Sequence, residues 1–453
     1  MKGNNGNNIN AMTEGSPFKL LLAFAFPMFI GNIFQQFYNM VDSIVVGNYV
    51  GKVALAAVGT GFPVIFLMSS MFIGLGMGAT ILISQYIGAG EYDNVRNASQ
   101  TIYTAMLLSS IPISIIGMIF CESILLLMNT PPDVLPMAKQ YMLIIFAGMI
   151  GSIGFNVNAG ILQGFGDSKS SLLFLIIATV MNIVLDLLFV VVFHWDVPGV
   201  AIATVIAQMF SWIFGIIYMK KKYDVLKFQI SKFYFNKGIF KKILKLGLPA
   251  GIQMSLFSIG SMGMQSLVNG YGADYMAGFN AANKIDTFAF MPIQSISNAV
   301  TTYTGQNIGA GRLDRVHKGT LAGATMSTIV CILALLIIPL GPFMLRLFNS
   351  EPGVIDSGMI YLNNVMPFYI LLAAIFILNA VERGAGESVI PMISSLASIW
   401  LGRIPSAYYI AANMGKEYLF YSYPAGWIIG LAITGGYYIS GKWKTKSKKL
   451  LKN

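Results

Sequence analysis

Five ionisable side chains, Asp42, Asp186, Lys284, Asp286 and Arg403, fall inside runs of sequence apolar enough to sit in hydrocarbon. A charge at the centre of a spanning helix costs about 2.5–3.5 kcal/mol on insertion scales, so each of the five needs a reason to be there. Asn182 and Asp186 are four apart in MNIVLD, which puts both on one face of a helix. Carboxylate, amide and hydroxyl oxygens are hard ligands that suit an alkali cation, and a buried carboxyl suits a proton. Asp42, Asn182, Asp186 and Thr204 are therefore the candidate cation-binding set, with H+ or Na+ as the ion and no other metal or cofactor expected. The competing use is an interhelical hydrogen bond that holds a bundle together. Asn182 and Thr204 fit that use well. Asp42 and Asp186 fit it poorly, because neutral groups would build the same bridge at less risk. Lys284 and Asp286 are two apart and point to nearly opposite helix faces, so they are not expected to pair. Lys284, Asp286 and Arg403 are assigned to lining a cavity or compensating charge across it, with a locked structural pair for Lys284 as the open alternative.

The elements that carry these groups follow from composition. Of 453 residues only 10% are charged and 56% are hydrophobic, with a mean hydropathy of +0.69. Soluble domains carry about 25% charged residues, so the bilayer is the expected solvent and a soluble enzyme, a nucleic-acid-binding domain and a disulfide scaffold are disfavoured. Cys121 and Cys331 lie in apolar runs and read as small hydrophobes. The Asn/Gly-rich start from Met1 to Asn10 has no leader pattern, so no cleaved signal peptide is expected. Twelve runs are long enough to cross about 30 Å of hydrocarbon, at 19–46, 54–86, 97–120, 135–162, 170–193, 198–219, 243–268, 276–306, 318–345, 357–381, 389–411 and 419–441.

Orientation follows from the 29 Lys and Arg. With both termini cytoplasmic, only Lys52, Lys139, Arg346 and Lys416 fall in outer segments, and Lys284 and Arg403 fall within spans. Nine Lys between Lys220 and Lys245 and six between Lys442 and Lys452 mark a basic linker and a basic tail expected to touch anionic lipid headgroups rather than nucleic acid. On this orientation Asp42 lies about 34 Å along span one from Lys19, Asp186 about 24 Å from the inner end of span five, and Thr204 about 9 Å below the outer surface. Both carboxyls are thus placed in the outer half of the membrane.

The chain also repeats itself. Gln85 to Gly90 (QYIGAG) recurs as Gln306 to Gly311 (QNIGAG), Leu162 to Ser168 aligns with Glu382 to Ser388, and Pro27 aligns with Pro249. The expected fold is an all-α polytopic membrane protein with twelve transmembrane helices in two six-helix lobes, related by a pseudo-twofold axis along the membrane normal. The lobes are placed at 1–220 and 243–441, joined by the linker 221–242 and followed by the tail 442–453. Parallel six-span repeats are a carrier architecture, with the substrate path between halves that rock against each other. One such chain supplies a whole path, so function as a monomer is expected.

The stretch PMFIGNIFQQFYNMVDSIVVGNYVGKVALAAVG from Pro27 to Gly59 resembles the opening of the multidrug and toxic compound extrusion (MATE) family. So do the paired IGAG loops, LQGFGDS after span four, MNIVLD in span five and GVAIATVIAQ opening span six. The resemblance covers essentially the whole chain and is nearest to the MepA-like and DinF-like branch. That branch implies a cation site of an acid in span one, an Asn and an Asp in span five and a Thr in span six, here Asp42, Asn182, Asp186 and Thr204. The carboxylates that the NorM-like branch places in spans seven and ten of the second half are missing before Glu382, so no second cation site is expected there. The resemblance implies secondary active antiport of H+ or Na+ against amphipathic, often cationic drugs or toxins at the cell membrane. Pro27, in the helix that carries Asp42, is the implied hinge.

Three other readings compete. Gly164-Phe165-Gly166-Asp167 fits the G-x-G-D of an intramembrane aspartyl protease but falls in an expected loop, and the absence of G-x-x-x-x-G-K-[ST] speaks against direct ATP drive. A lipid or glycolipid flippase of the same superfamily is the main alternative, disfavoured because only Lys284 and Arg403 could meet a phosphate headgroup within the membrane. The major facilitator fold also has six plus six spans, but GAGEYDNVRN lacks its loop motif.

Overall fold

The computed structural model describes residues 12–227 and 233–446. The polar start, part of the basic linker and the end of the basic tail lie outside the described residues. Sixteen α-helices follow one another in the described residues, with no strand: α1 (Pro17–Val45), α2 (Lys52–Ala89), α3 (Tyr92–Leu127), α4 (Leu135–Ala147), α5 (Met149–Gly164), α6 (Ser168–Asp186), α7 (Asp196–Lys222), α8 (Lys237–Asn269), α9 (Ala273–Gly309), α10 (Leu313–Ala334), α11 (Ile337–Arg346), α12 (Pro352–Val365), α13 (Tyr369–Gly384), α14 (Val389–Ala397), α15 (Ile404–Asn413) and α16 (Ser422–Ile439). The protein is an all-α multi-pass membrane protein. Only helices, whose backbone groups are satisfied internally, can string so many apolar segments through hydrocarbon in an open chain.

Among the described residues, eight helices or near-continuous helical runs are long and apolar enough to span, and the α4–α5 pair, bent by 52° at Gly148, makes a ninth. The other ranges expected to span hold α9, α14 with α15, and α16, which fall short of that apolarity or are interrupted. In α9 polar side chains such as Thr301, Thr304, Gln306 and Asn307 are buried, so protein rather than lipid solvates much of its surface. The two longest runs, α2 and α9, are each a single unbroken helix.

The chain divides into two compact units. One holds Ile30–Gly251; the other holds Met12–Phe29 and the chain from Ile252 onward. In the first unit, close backbone approach is built on glycine. Thr80 Oγ1 of α2 donates to the Gly160 carbonyl of α5 at 2.8 Å, and a Cβ on Gly160 would lie 2.8 Å from the Gly76 carbonyl oxygen. A Cβ on Gly78 would meet the Ile243 carbonyl oxygen at 2.4 Å and Gly247 N at 2.8 Å. Such small-residue crossings let helices gain dispersion and backbone contacts where lipid offers no hydrophobic drive. In the second unit an aromatic core joins α9 to α12, with Phe279 stacked on Phe420 at 5.3 Å and Tyr361 edge-on to Phe420 at 4.9 Å.

The sequence repeat has a backbone counterpart. Gly90 and Gly311 close the two GAG turns at φ 73° and 72°, a left-handed conformation that favours glycine after a helix. Each repeat also ends its fourth-span loop on a clasped acid. Asp167 caps α6 by accepting from Ser170 N at 3.1 Å, and its Oδ2 accepts from Lys222 Nζ at 2.7 Å and from Tyr223 Oη at 2.6 Å. Glu387 occupies the matching place, accepting from Lys446, from Tyr437 at 3.4 Å and from Val389 N at 3.0 Å. Burial pushes the Asp167 carboxyl up, but the hydrogen bonds from Lys222, Ser170 and Tyr223 outweigh it and hold it below the ordinary carboxylate range. The G-x-G-D run therefore serves as a helix start and an anchor for the end of α7.

Candidate functional site

Within the first unit, three elements bring the four expected ligands together. α1 carries Asp42, α6 carries Asn182 and Asp186, and α7 carries Thr204. Asn182 and Asp186 are fully buried, Thr204 is buried and Asp42 is half-buried. Asn182 Nδ2 donates to Thr204 Oγ1 at 3.5 Å. The carboxyls of Asp42 and Asp186 face each other closely enough to share a hydrogen bond when one of them carries a proton. Asp42 Oδ1, Asn182 Oδ1 and both Asp186 carboxyl oxygens are buried with no hydrogen-bond partner. Four oxygen acceptors with nothing to accept from are thus gathered in one place, where each unpaired buried polar group costs about 1–3 kcal/mol.

The local backbone departs from α-helix on both sides of this cluster. A π-helical turn, Val46–Val50, follows α1 four residues after Asp42, and another, Leu187–Val192, begins on the residue after Asp186. One extra residue per turn re-aims the side chains that precede it, and such bulges recur at functional sites.

Two tyrosines belong to the cluster and were absent from the set read from sequence. Tyr38, one turn before Asp42 on α1, donates from Oη to Thr204 Oγ1 at 3.2 Å. Its spacing of four from Asp42 was a visible signal. Tyr141 of α4 lies close to both carboxyls. It comes from another helix, and only packing reveals it. Thr179, three residues before Asn182 on α6, is also buried, and its hydroxyl has no partner.

The remaining intramembrane charges lie in the second unit and do not form one group. Asp286 accepts a hydrogen bond from Tyr369 Oη, and Arg403 lies near enough to act on it electrostatically. The Arg403 guanidinium sits 3.4 Å from the centre of the Tyr423 ring, a cation–π contact. Arg403 also ends a third π-helical turn, Ser398–Arg403. Lys284 is exposed, 5.6 Å from the Phe348 ring centre, and makes no ion pair with Asp286. Pro27 is a buried residue within the continuous α1. Among the described residues no group of three or more His, Cys, Asp or Glu could hold a metal ion, and both cysteines are free and buried.

The sequence profile of the family MatE matches residues 27–188 and 249–409, one copy on each half of the chain. The chain belongs to the MatE family. Two Bacillus subtilis (strain 168) proteins of similar sequence bear the names probable multidrug resistance protein YpnP, 31% identical over 435 residues, 95% of this chain and 97% of that one, and probable multidrug resistance protein YoeA, 30% identical over 444 residues, 96% of each. The multidrug export protein MepA of Staphylococcus aureus (strain MRSA252) is 23% identical over 394 residues, 85% of this chain and 87% of that one. The same fold is seen in the crystal structure of MATE in the bent conformation, with a TM-score of 0.89 at 24% identity over 97% of this chain and 98% of that one. It is seen again in an outward-facing multidrug resistance MATE family transporter of the MOP superfamily, at 0.88, 24%, 99% and 100%. The MatE match starts at Pro27 and ends its first copy two residues after Asp186, so three of the four candidate ligands fall inside it and Thr204 falls outside it.

Proposed function

We propose that this MatE-family chain is a secondary active efflux antiporter, not an enzyme, that expels amphipathic and often cationic organic compounds from the cell in exchange for H+ or Na+. The observation that carries this reading is the set of orphaned oxygens around Asp42 and Asp186. Two carboxylates facing each other in a medium of low dielectric cannot both stay charged without a cation between them. A proton or Na+ supplies that charge, and Asn182 Oδ1, Thr204 Oγ1 and the Asp oxygens are hard donors suited to either ion. Binding and release of the ion then change the charge of α1 and α6 by one unit, a large differential energy for two conformations of the same bundle.

Pro27 is proposed as the hinge. It removes one backbone hydrogen bond from α1, and it lies two residues before the Phe29–Ile30 junction at which α1 passes from one compact unit to the other. The names borne by YpnP, YoeA and MepA support drugs as the exported class. In the second unit the Arg403 charge is already engaged by Tyr423 and Asp286, which leaves little for an anionic substrate. The bias of Lys and Arg supports a cell-membrane topology with both termini cytoplasmic.

The direct test of the ion site uses purified protein in a weakly buffered, Na+-free solution. Addition of Na+ releases protons if one site takes either ion. Release that persists in an Asp42→Asn, Asp186→Asn double variant would reject this site.

A further inference from the structure

A second site lies away from these carboxyls. Within the second unit a groove of about 210 Å³ runs between the first half of α1 and the helices α9 and α10, lined by Leu22, Phe26 and Phe29 on one wall and Ile296, Met326 and Ile329 on the other. Phe26, Leu22 and Ile329 are 58%, 46% and 47% exposed. An apolar surface left open on helices long enough to span faces acyl chains. Further along α10, Ile332 and Leu333 continue the same exposed apolar surface.

The groove has one charged end. Lys19 is seven residues before Phe26 on α1, two turns and about 10 Å away on the same face. Lys318 is eleven residues before Ile329 on α10, three turns and about 16 Å away, again on the same face. Both side chains are exposed, and neither makes an ion pair among the described residues. Asp314, four residues before Lys318, is 3.9 Å from Arg312. The bias of Lys and Arg assigns this end to the cytoplasmic side.

The walls are fixed in advance. Arg315 Nη1 donates to the Gly15 carbonyl at 3.0 Å and Nη2 to the Met12 carbonyl at 3.3 Å; Asn307 Nδ2 donates to the same Met12 oxygen at 3.1 Å, and Met12 N donates to Gln306 Oε1 at 2.7 Å. These bonds tie the lead-in of α1 to the α9–α10 turn, next to the first two turns of α1 and α10 that carry Lys19 and Lys318. The cationic neighbours Arg312 and Arg315 are occupied with carbonyls and Asp314, whereas Lys19 and Lys318, on the two helices that wall the groove, make no ion pair among the described residues.

We infer that this groove is a binding site for one anionic phospholipid of the inner leaflet, with an acyl chain between α1 and α10 and its phosphate at Lys19 and Lys318. Within hydrocarbon an acyl chain gains only packing by entering a groove, because the surrounding lipid is equally apolar. Selectivity therefore resides in the headgroup, and the two lysines supply it. The site is independent of which compound the carrier exports.

Native mass spectrometry of the full chain in detergent, with phosphatidylglycerol or phosphatidylcholine added, tests this. The wild type should retain one phosphatidylglycerol in preference to phosphatidylcholine. The double variant Lys19→Gln, Lys318→Gln changes only exposed side chains and should lower that preference by up to roughly thirtyfold, as expected for two cations near one phosphate. Val330→Trp, which fills the groove, should reduce retention of both lipids. An unchanged preference in the double variant overturns the headgroup assignment. A lysine-dependent preference that survives Val330→Trp undiminished overturns the groove, since it would show only general attraction of anionic lipid to a basic surface.

Discussion

Tyr38 on α1 donates a hydrogen bond to Thr204 on α7 at 3.2 Å, and Asn182 on α6 donates to the same oxygen at 3.5 Å. One hydroxyl thus joins the three helices that bring the orphaned carboxyl oxygens together. Thr204 has a single proton to give and two lone pairs to share, so both donors leave its own O–H free to turn toward a carboxylate.

Removing the Tyr38 hydroxyl should therefore weaken ion binding without dismantling the site. A hydrogen bond of this kind is worth about 0.5–1.5 kcal/mol net, which corresponds to roughly a two- to tenfold change in affinity. Tyr38→Phe should raise the half-saturating concentration of the coupling ion by that factor in transport assays, with the maximal rate much less affected. A variant with an unaltered ion dependence would remove Tyr38 from the site.

The Asp167–Lys222 clasp makes a prediction about acid stability. Asp167 is held below the ordinary carboxylate value of 3.8, and so contributes stability that is present above that value and lost as pH falls through its lower folded value. Asp167→Asn removes the ionic half of the clasp at every pH and should cost about 1–3 kcal/mol. Thermal melting in detergent from pH 7 down to pH 3 should show the wild type approaching the variant at the acid end. Parallel curves offset by a constant amount would contradict the assignment.

Helix crossing in the first unit makes a steric prediction with an internal control. A Cβ on Gly78 would collide with the backbone of Ile243 and Gly247, which no side-chain rotation can relieve, whereas a Cβ on Gly59 of the same helix meets nothing within 4 Å. Gly78→Ala should lower stability by about 1–3 kcal/mol, as overpacking does, and Gly59→Ala should be neutral or slightly stabilising, because alanine favours the helix over glycine. Melting temperatures that shift equally for both would show that the crossing does not decide, since the gain in helix propensity is common to the two substitutions.

The residues of the candidate site were legible in the sequence because charge is costly in lipid. Asp42 and Asp186 stood out against their apolar surroundings, and the spacing of Asn182 and Asp186 already placed them on one face. The repeat was legible for a similar reason, since left-handed turns at Gly90 and Gly311 tolerate few other residues. Tyr141 was not, because a tyrosine in a spanning helix is unremarkable until packing sets it beside two acids. The π-helical turns after Asp42 and Asp186 were hidden as well: a shift in backbone hydrogen bonding leaves the apolar pattern of the run unchanged. The break at Gly148 is hidden within one continuous apolar run for the same reason. Lys284 shows the limit of reasoning from one helix, since its place over Phe348 depends on a loop distant in sequence.

The central claim is that Asp42 and Asp186 take up and surrender the ion that drives efflux. It is tested most directly by efflux of a cationic fluorescent dye from vesicles energised separately with a Na+ gradient and with a pH gradient. Asp42→Asn and Asp186→Asn, inserted at wild-type levels, should each abolish gradient-driven efflux that the wild type performs. Normal transport by either variant, with the wild-type response to both gradients, would contradict the account.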